Sequence, residues 1–254
     1  MGLFNFYKSK GEKSVAPLPE PESKPYEGDL NKTKILAGLI KTPFEKRDDF
    51  WKDAFLGNVN DASFACGNPQ VIEGPDGFPY FHLEIPKPNQ PFQCYVIKHM
   101  VTDFLLQKGL GIVINAGIGN PDWVFSYGDI LNFHLRNEFY SESVSWDLPK
   151  HEVIQEKEKI LIGQPSEMLL PLETRLVMRG FLQTFGIHNA KLLLMNRSRP
   201  EGNLQELVFN LTPDKFQSED HYESIMRSIG WFLPRHYSYV SMHETSFKAD
   251  FLPL

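Results

Sequence analysis

The chain has 254 residues, 41% of them apolar and 13% aromatic, enough to bury one large core or two smaller ones. A formal net charge of −6 and a pI near 5.8 leave no basic footprint, which excludes nucleic acid as a main partner. Two cysteines, Cys66 and Cys94, without a charged-then-apolar leader point to a cytoplasmic protein with free thiols, and no apolar run approaches the ~18 residues of a membrane span.

Met1–Tyr7 (MGLFNFY) is a small apolar tip followed by Lys8, Lys10 and Lys13, so residues 1–13 have the composition for a brief surface contact with a membrane. Phe6 stands where a myristoylation signal needs Ser or Thr. Residues 1–31 as a whole are rich in Pro, Glu, Lys and Ser and predict a disordered tether, because such a segment buries too little to offset its ordering. Order is expected from about Ile35. Phe50, Trp51, Ala54 and Phe55 then recur at helical spacing over 48–56, closed by Gly57.

Short strands are predicted at 64–66, 70–72 and 80–85, the last two joined by the turn sequence Gly74-Pro75-Asp76-Gly77. The organising stretch follows at 96–139. Ile97, Met100, Val101, Phe104 and Leu105 share one helix face, Gly109 caps it, and Ile112–Ile114 and Trp123–Phe125 are strands. Ser126 and Asp129 have capping-box spacing and open a helix through Ile130, Leu131, Phe133 and Leu135.

A polar stretch from Tyr140 to Gly163 separates this from a second stretch of the same plan, with a further strand available within 152–162. After Pro171, a helix carries Val177, Met178, Phe181, Leu182 and Phe185. Strands at 192–195 and 207–211 flank a polar loop at 197–203, Ser218 caps a helix with Tyr222, Ile225, Met226 and Ile229, and 237–242 is a last strand. The expected class is therefore α+β (α/β mixed) in two similar halves, each a sheet with packed helices: a tether over 1–31, one domain over 32–150 and another over 151–254.

Ile162-Gly163-Gln164-Pro165-Ser166-Glu167, followed by a long helix and Ala190-Lys191-Leu192-Leu193, resembles the C-terminal domain of the bacterial enhanced-serine-sensitivity protein B (SseB)-like family. Gly111–Gly117 after its helix is similar to that family's N-terminal domain, with Asn-Ala-Gly here where the family ends a strand in Asn-Pro-Gly. The resemblance spans about residues 48–242. It implies two α/β domains and a non-enzymatic role, and it carries over no catalytic residues.

Residues of catalytic type do not converge in the sequence. Gly109-x-Gly111 and Gly117-x-Gly119 follow the order of a phosphate loop, but Asp122 stands where its last glycine belongs and no Gly-Lys-Ser/Thr is present. His99 with Asp103, or His82 with Glu84, supplies two metal ligands and no third, and His243-Glu244 adds nothing at the right spacing, so surface or hydrogen-bonded histidines are expected. Cys66 lacks any nucleophile motif around it. Asn120, Asp122, Trp123, Tyr127 and Asp129, at a strand–loop junction, form the expected binding loop, with core packing and capping as their bland alternative.

The function expected from the sequence is a non-catalytic interaction or regulatory module without metal or cofactor, whose partner is another protein. The alternative is a small hydrolase or transferase built on Cys66 or on His99 and Asp103.

Overall fold

A computed structural model describes residues 28–117, 119–142, 159–199, 202–247 and 251–254. The chain divides into two compact units, residues up to Leu105 with Leu110–Phe125, and Leu106–Gly109 with Ser126–Leu254. Each contains helices and its own mixed sheet, so the α+β class with two sheets holds.

The first unit begins earlier than composition suggested. Asp29 accepts hydrogen bonds from the backbone N–H of Asn31 and Lys32 and so caps helix α1 (Leu30–Leu39), which puts residues 28–31 in structure rather than in a tether. Asp48 caps α2 (Asp49–Val59) in the same manner. Four strands follow in the order β1 (Ala65–Glu73), β2 (Pro79–Glu84), β3 (Gly111–Ile114) and β4 (Trp123–Phe125), with β2 and β3 parallel and the outer pairs antiparallel. The two short strands expected at 64–66 and 70–72 are one strand, β1, whose register breaks between Cys66 and Val71. That irregularity splits the alternation and explains why the sequence pattern looked like two pieces.

Register places Phe81 beside Ile112, Ile112 beside Phe125, and Ile114 beside both Leu83 and Trp123, so these side chains share one face of the pleated sheet. All of them but the half-buried Trp123 are its core, together with Phe55 and Leu36 from the helices. Phe55 stacks on Trp123 at 5.0 Å between ring centroids and on Trp51 at 5.1 Å. The helix expected at 97–105 exists as α3 (Ile97–Met100) and then widens into a π turn over Val101–Leu106.

In the second unit, strands β5 (Lys159–Gly163), β6 (Lys191–Arg199), β7 (Gly202–Phe209) and β8 (Ser238–Ser241) lie in that order, β8 parallel to β7, and β9 (Leu252–Pro253) adds to β6. The region expected to be a polar loop at 197–203 is mostly hairpin, because β6 and β7 stay paired out to Arg199 and Gly202. One face of this sheet carries Leu193, Met195 and Val208 under Phe251. Helices α4 (Tyr127–Arg136), α5 (Leu172–Thr184) and α6 (Glu219–Phe232) complete the unit, with Phe181 and Tyr127 placing their rings 5.0 and 5.7 Å from that of Phe232.

Chain order places α4 with the expected domain over 32–150, yet it belongs to the second unit. Its buried face explains this: Tyr127 is fully buried beside Thr174, Trp231 and Phe232. The expected boundary at residue 150 falls outside the described residues. Gly128 lets α4 approach the end of α6, since a Cβ there would collide with the backbone of Leu233. Gly128→Ala is therefore expected to destabilise the protein by ~1–3 kcal/mol through overpacking against atoms that cannot rotate away. Urea unfolding would measure it, and an unchanged midpoint would contradict this packing. Among the described residues no helix is long and apolar enough to cross a membrane.

Candidate functional site

The residues expected to form a binding loop are mostly committed to holding structure. Asp122 receives Arg47 Nη2 on Oδ1 at 2.7 Å and Asn115 Nδ2 on Oδ2 at 2.7 Å, while Arg47 Nη1 donates to the Asp122 carbonyl at 3.1 Å. The guanidinium of Arg47 lies over Phe44 and Trp51, 3.9 and 4.5 Å from their ring centroids. Asn115, in the left-handed region with φ of 53°, also accepts from the Ile85 N–H, so the turn after β3 is pinned from three sides. The half-buried Trp123 packs against the rings of Trp51 and Phe55, and of the first unit's members only Asn120 is exposed.

Tyr127 and Asp129 lie in the second unit. The Tyr127 hydroxyl is within hydrogen-bond distance of the Leu106 carbonyl and Thr174 Oγ1, and burial pushes its pKa far above the ordinary phenol range. Asp129 is fully buried and completes the capping box with Ser126, as the spacing predicted. Its two oxygens also receive Arg235 Nε at 2.8 Å and Nη2 at 2.9 Å, a bidentate fork whose guanidinium lies over the Tyr140 ring. Three internal donors thus occupy most of the roughly four acceptor sites of this carboxylate.

The metal pairs fare differently from each other. His99 and Asp103 are exposed on either side of the change from α-helix to π turn. His82 and Glu84 do share a strand face, with Nε2 and Oε1 3.6 Å apart. His82 is neither on the surface nor hydrogen-bonded, contrary to expectation: it is 5% exposed, and among the described residues neither ring nitrogen has a hydrogen-bond partner. No group of three or more potential ligands exists among the described residues. Glu244 is occupied by Lys191 and Asn210, while His243 stands 3.7 Å from Asp214. Cys66 and Cys94 are free, half-buried thiols, and Cys66 Sγ donates weakly to the neighbouring Gly67 carbonyl at 3.5 Å.

A cavity of about 210 Å³ in the second unit was invisible to sequence reasoning. Its floor is Leu169, Leu194 and Leu207, and Arg136, His236 and Gln205 supply polar groups. Arg136 arrives from the last turn of α4, and His236 from the short link between α6 and β8. Arg136 has no hydrogen-bond or ion-pair partner among the described residues, and the buried Nε2 of His236 has no partner either. Burial first, and then the charge of Arg136, lower the pKa of His236, with Glu138 opposing them. His236 is therefore a neutral imidazole near pH 7. Tyr237, its neighbour in the lining, donates its hydroxyl to the Leu169 carbonyl at 2.8 Å, and burial pushes its pKa up to about 12. Ser238 Oγ is 3.3 Å from Glu206 Oε1.

The lowered pKa gives a pH prediction. The unfolded chain takes up the proton at about 6.5, before the folded state does, so this contribution to stability is full above about pH 6.5 and falls as pH drops through the lowered folded value. On acidification across that window the melting temperature of the natural protein should fall further than that of His236→Gln. Parallel curves would contradict the burial of this imidazole.

Compared with family models, with curated proteins and with solved structures, the chain matches none of them.

Proposed function

We propose that this protein is a cytoplasmic bacterial regulatory or interaction module of the SseB-like kind, which acts by binding rather than by turnover. The observation that carries the reading is how the lining of the cavity divides. The hydroxyls in the lining that could act as nucleophiles, Tyr237 and Ser238, are engaged with the Leu169 carbonyl and Glu206. The groups left open, Arg136 and His236 Nε2, are ones that hold a ligand. Covalent catalysis needs a free nucleophile, and among the described residues neither cysteine lines this cavity. Exposed apolar side chains at Leu172 and Leu176, one turn apart on α5, support another protein as partner.

Thiol-reactive probes discriminate this reading from the hydrolase or transferase one. Binding without turnover predicts that native protein is labelled at Cys66 no faster than urea-denatured protein. Selective native labelling, abolished by Cys66→Ser together with a hydrolytic activity, would overturn it.

A further inference from the structure

We propose that the cavity between Arg136 and His236 binds the carboxylate of a small aliphatic acid, its hydrocarbon part resting on Leu169, Leu194 and Leu207; this rests on the reading of the cavity as a binding site. Four features of the cavity define the ligand class. Its volume, about 210 Å³, lies below the ~300–1,000 Å³ of sites for drug-sized molecules, which suits a small ligand. The leucines in its lining suit a branched or straight hydrocarbon.

Charge supplies the third feature. Arg136 is the one cation in the lining, and its planar fork matches a carboxylate in two parallel hydrogen bonds. Glu142, also in the lining, disfavours a phosphate dianion, which brings twice the charge to a site with one guanidinium. Finally, a buried nitrogen with no partner costs free energy, and a ligand oxygen placed at His236 Nε2 removes that cost. The neutral ring then donates from Nε2 to one carboxylate oxygen while Arg136 holds the carboxylate.

Isothermal titration of the full chain with isovalerate, a seven-heavy-atom probe, tests this. One saturable site is expected, with isovaleramide at least about tenfold weaker because it lacks the charge, and inorganic phosphate weaker still. Arg136→Gln and His236→Phe should each weaken isovalerate at least about tenfold, while Arg136→Lys should lose less than Arg136→Gln. Arg136 is exposed, so a normal melting temperature in its variants will separate lost binding from lost folding. No saturable heat with isovalerate, equal binding of the amide, preference for phosphate, or full affinity in folded Arg136→Gln would each overturn the proposal. These results are independent of Cys66 labelling, which tests the non-catalytic reading itself.

Discussion

Replacing Glu206 with alanine is expected to destabilise the protein by ~3–5 kcal/mol. Glu206 and Arg197 lie side by side on neighbouring strands of the second sheet, 1% and 3% exposed, with Arg197 Nη1 3.3 Å from Glu206 Oε2. The register sets this contact, since Arg197 pairs with Leu204 and Glu206 with Met195, which puts both charged side chains on one face. Burial outweighs the neighbouring guanidinium and the Ser238 hydroxyl and raises the Glu206 pKa. An acid whose folded pKa is raised stabilises most below its unfolded value and loses that contribution as pH rises through the folded one, so ionising Glu206 costs stability. Removing Glu206 alone takes from the buried Arg197 guanidinium the carboxylate on the neighbouring strand. Removing both in Arg197→Met/Glu206→Leu should return stability to the natural level or above it. Urea unfolding of the single and double variants measures both; a loss below about 1 kcal/mol in Glu206→Ala would contradict the role given to this pair.

Phe181→Ala is expected to cost ~3–5 kcal/mol. Phe181 sits on α5 at 5% exposure, its ring centroid 5.0 Å from Phe232 and 5.0 Å from Phe185. Phe185 at the helix end is 44% exposed and cannot fill the gap by itself. Truncation forfeits both the transfer of a ring from water and the contacts of the void that remains. Trp231 offers the readout, being 4.9 Å from Phe232 in the same aromatic cluster. A shift of the unfolding midpoint worth less than about 1.5 kcal/mol would show that α5 and α6 close over the cavity left behind.

Most helices were legible because their faces repeat at helical spacing and their ends carry caps. Ser126 with Asp129, Ser218, and the periodic face ending in Phe181 and Leu182 gave α4, α6 and α5 within a residue or two. The strand at 112–114 was legible as a β-branched run for the same local reason. Helix α1 was missed because its face is weakly amphipathic: Leu30 and Ile35 are exposed, and only Thr33 and Leu36 are buried. The membership of α4 was missed for a different reason. Tyr127 and Gly128 look like loop residues in sequence, and nothing local says that one contacts Thr174 and the other Leu233.

The expected binding loop was chosen by chemistry, and its residues had that chemistry. Asp122 and Asp129 do bind, but their ligands are Arg47 and Arg235 of this chain. Buried carboxylates in loops satisfy internal donors as readily as external ones, and sequence spacing does not separate the cases. Arg136 and His236 stand one hundred positions apart, each unremarkable alone, and only the packing of α4 beside the α6–β8 link brings them to one cavity. The open nitrogen of His236 is a property of the fold, since no pattern in the sequence marks which histidine will lack a partner.

The most direct measurement is the titration of the His236 ring by NMR in the full chain, assigned by its loss in His236→Gln, with and without isovalerate. Arg136, Glu138, Glu142 and Tyr237 are the titratable groups around it. An open cavity that receives a carboxylate predicts an apparent pKa below about 6.5 in the free protein and an upward shift at saturating isovalerate, as negative charge arrives beside the ring. A free-protein value at or above about 6.5, or a titration curve that isovalerate leaves in place, would contradict it.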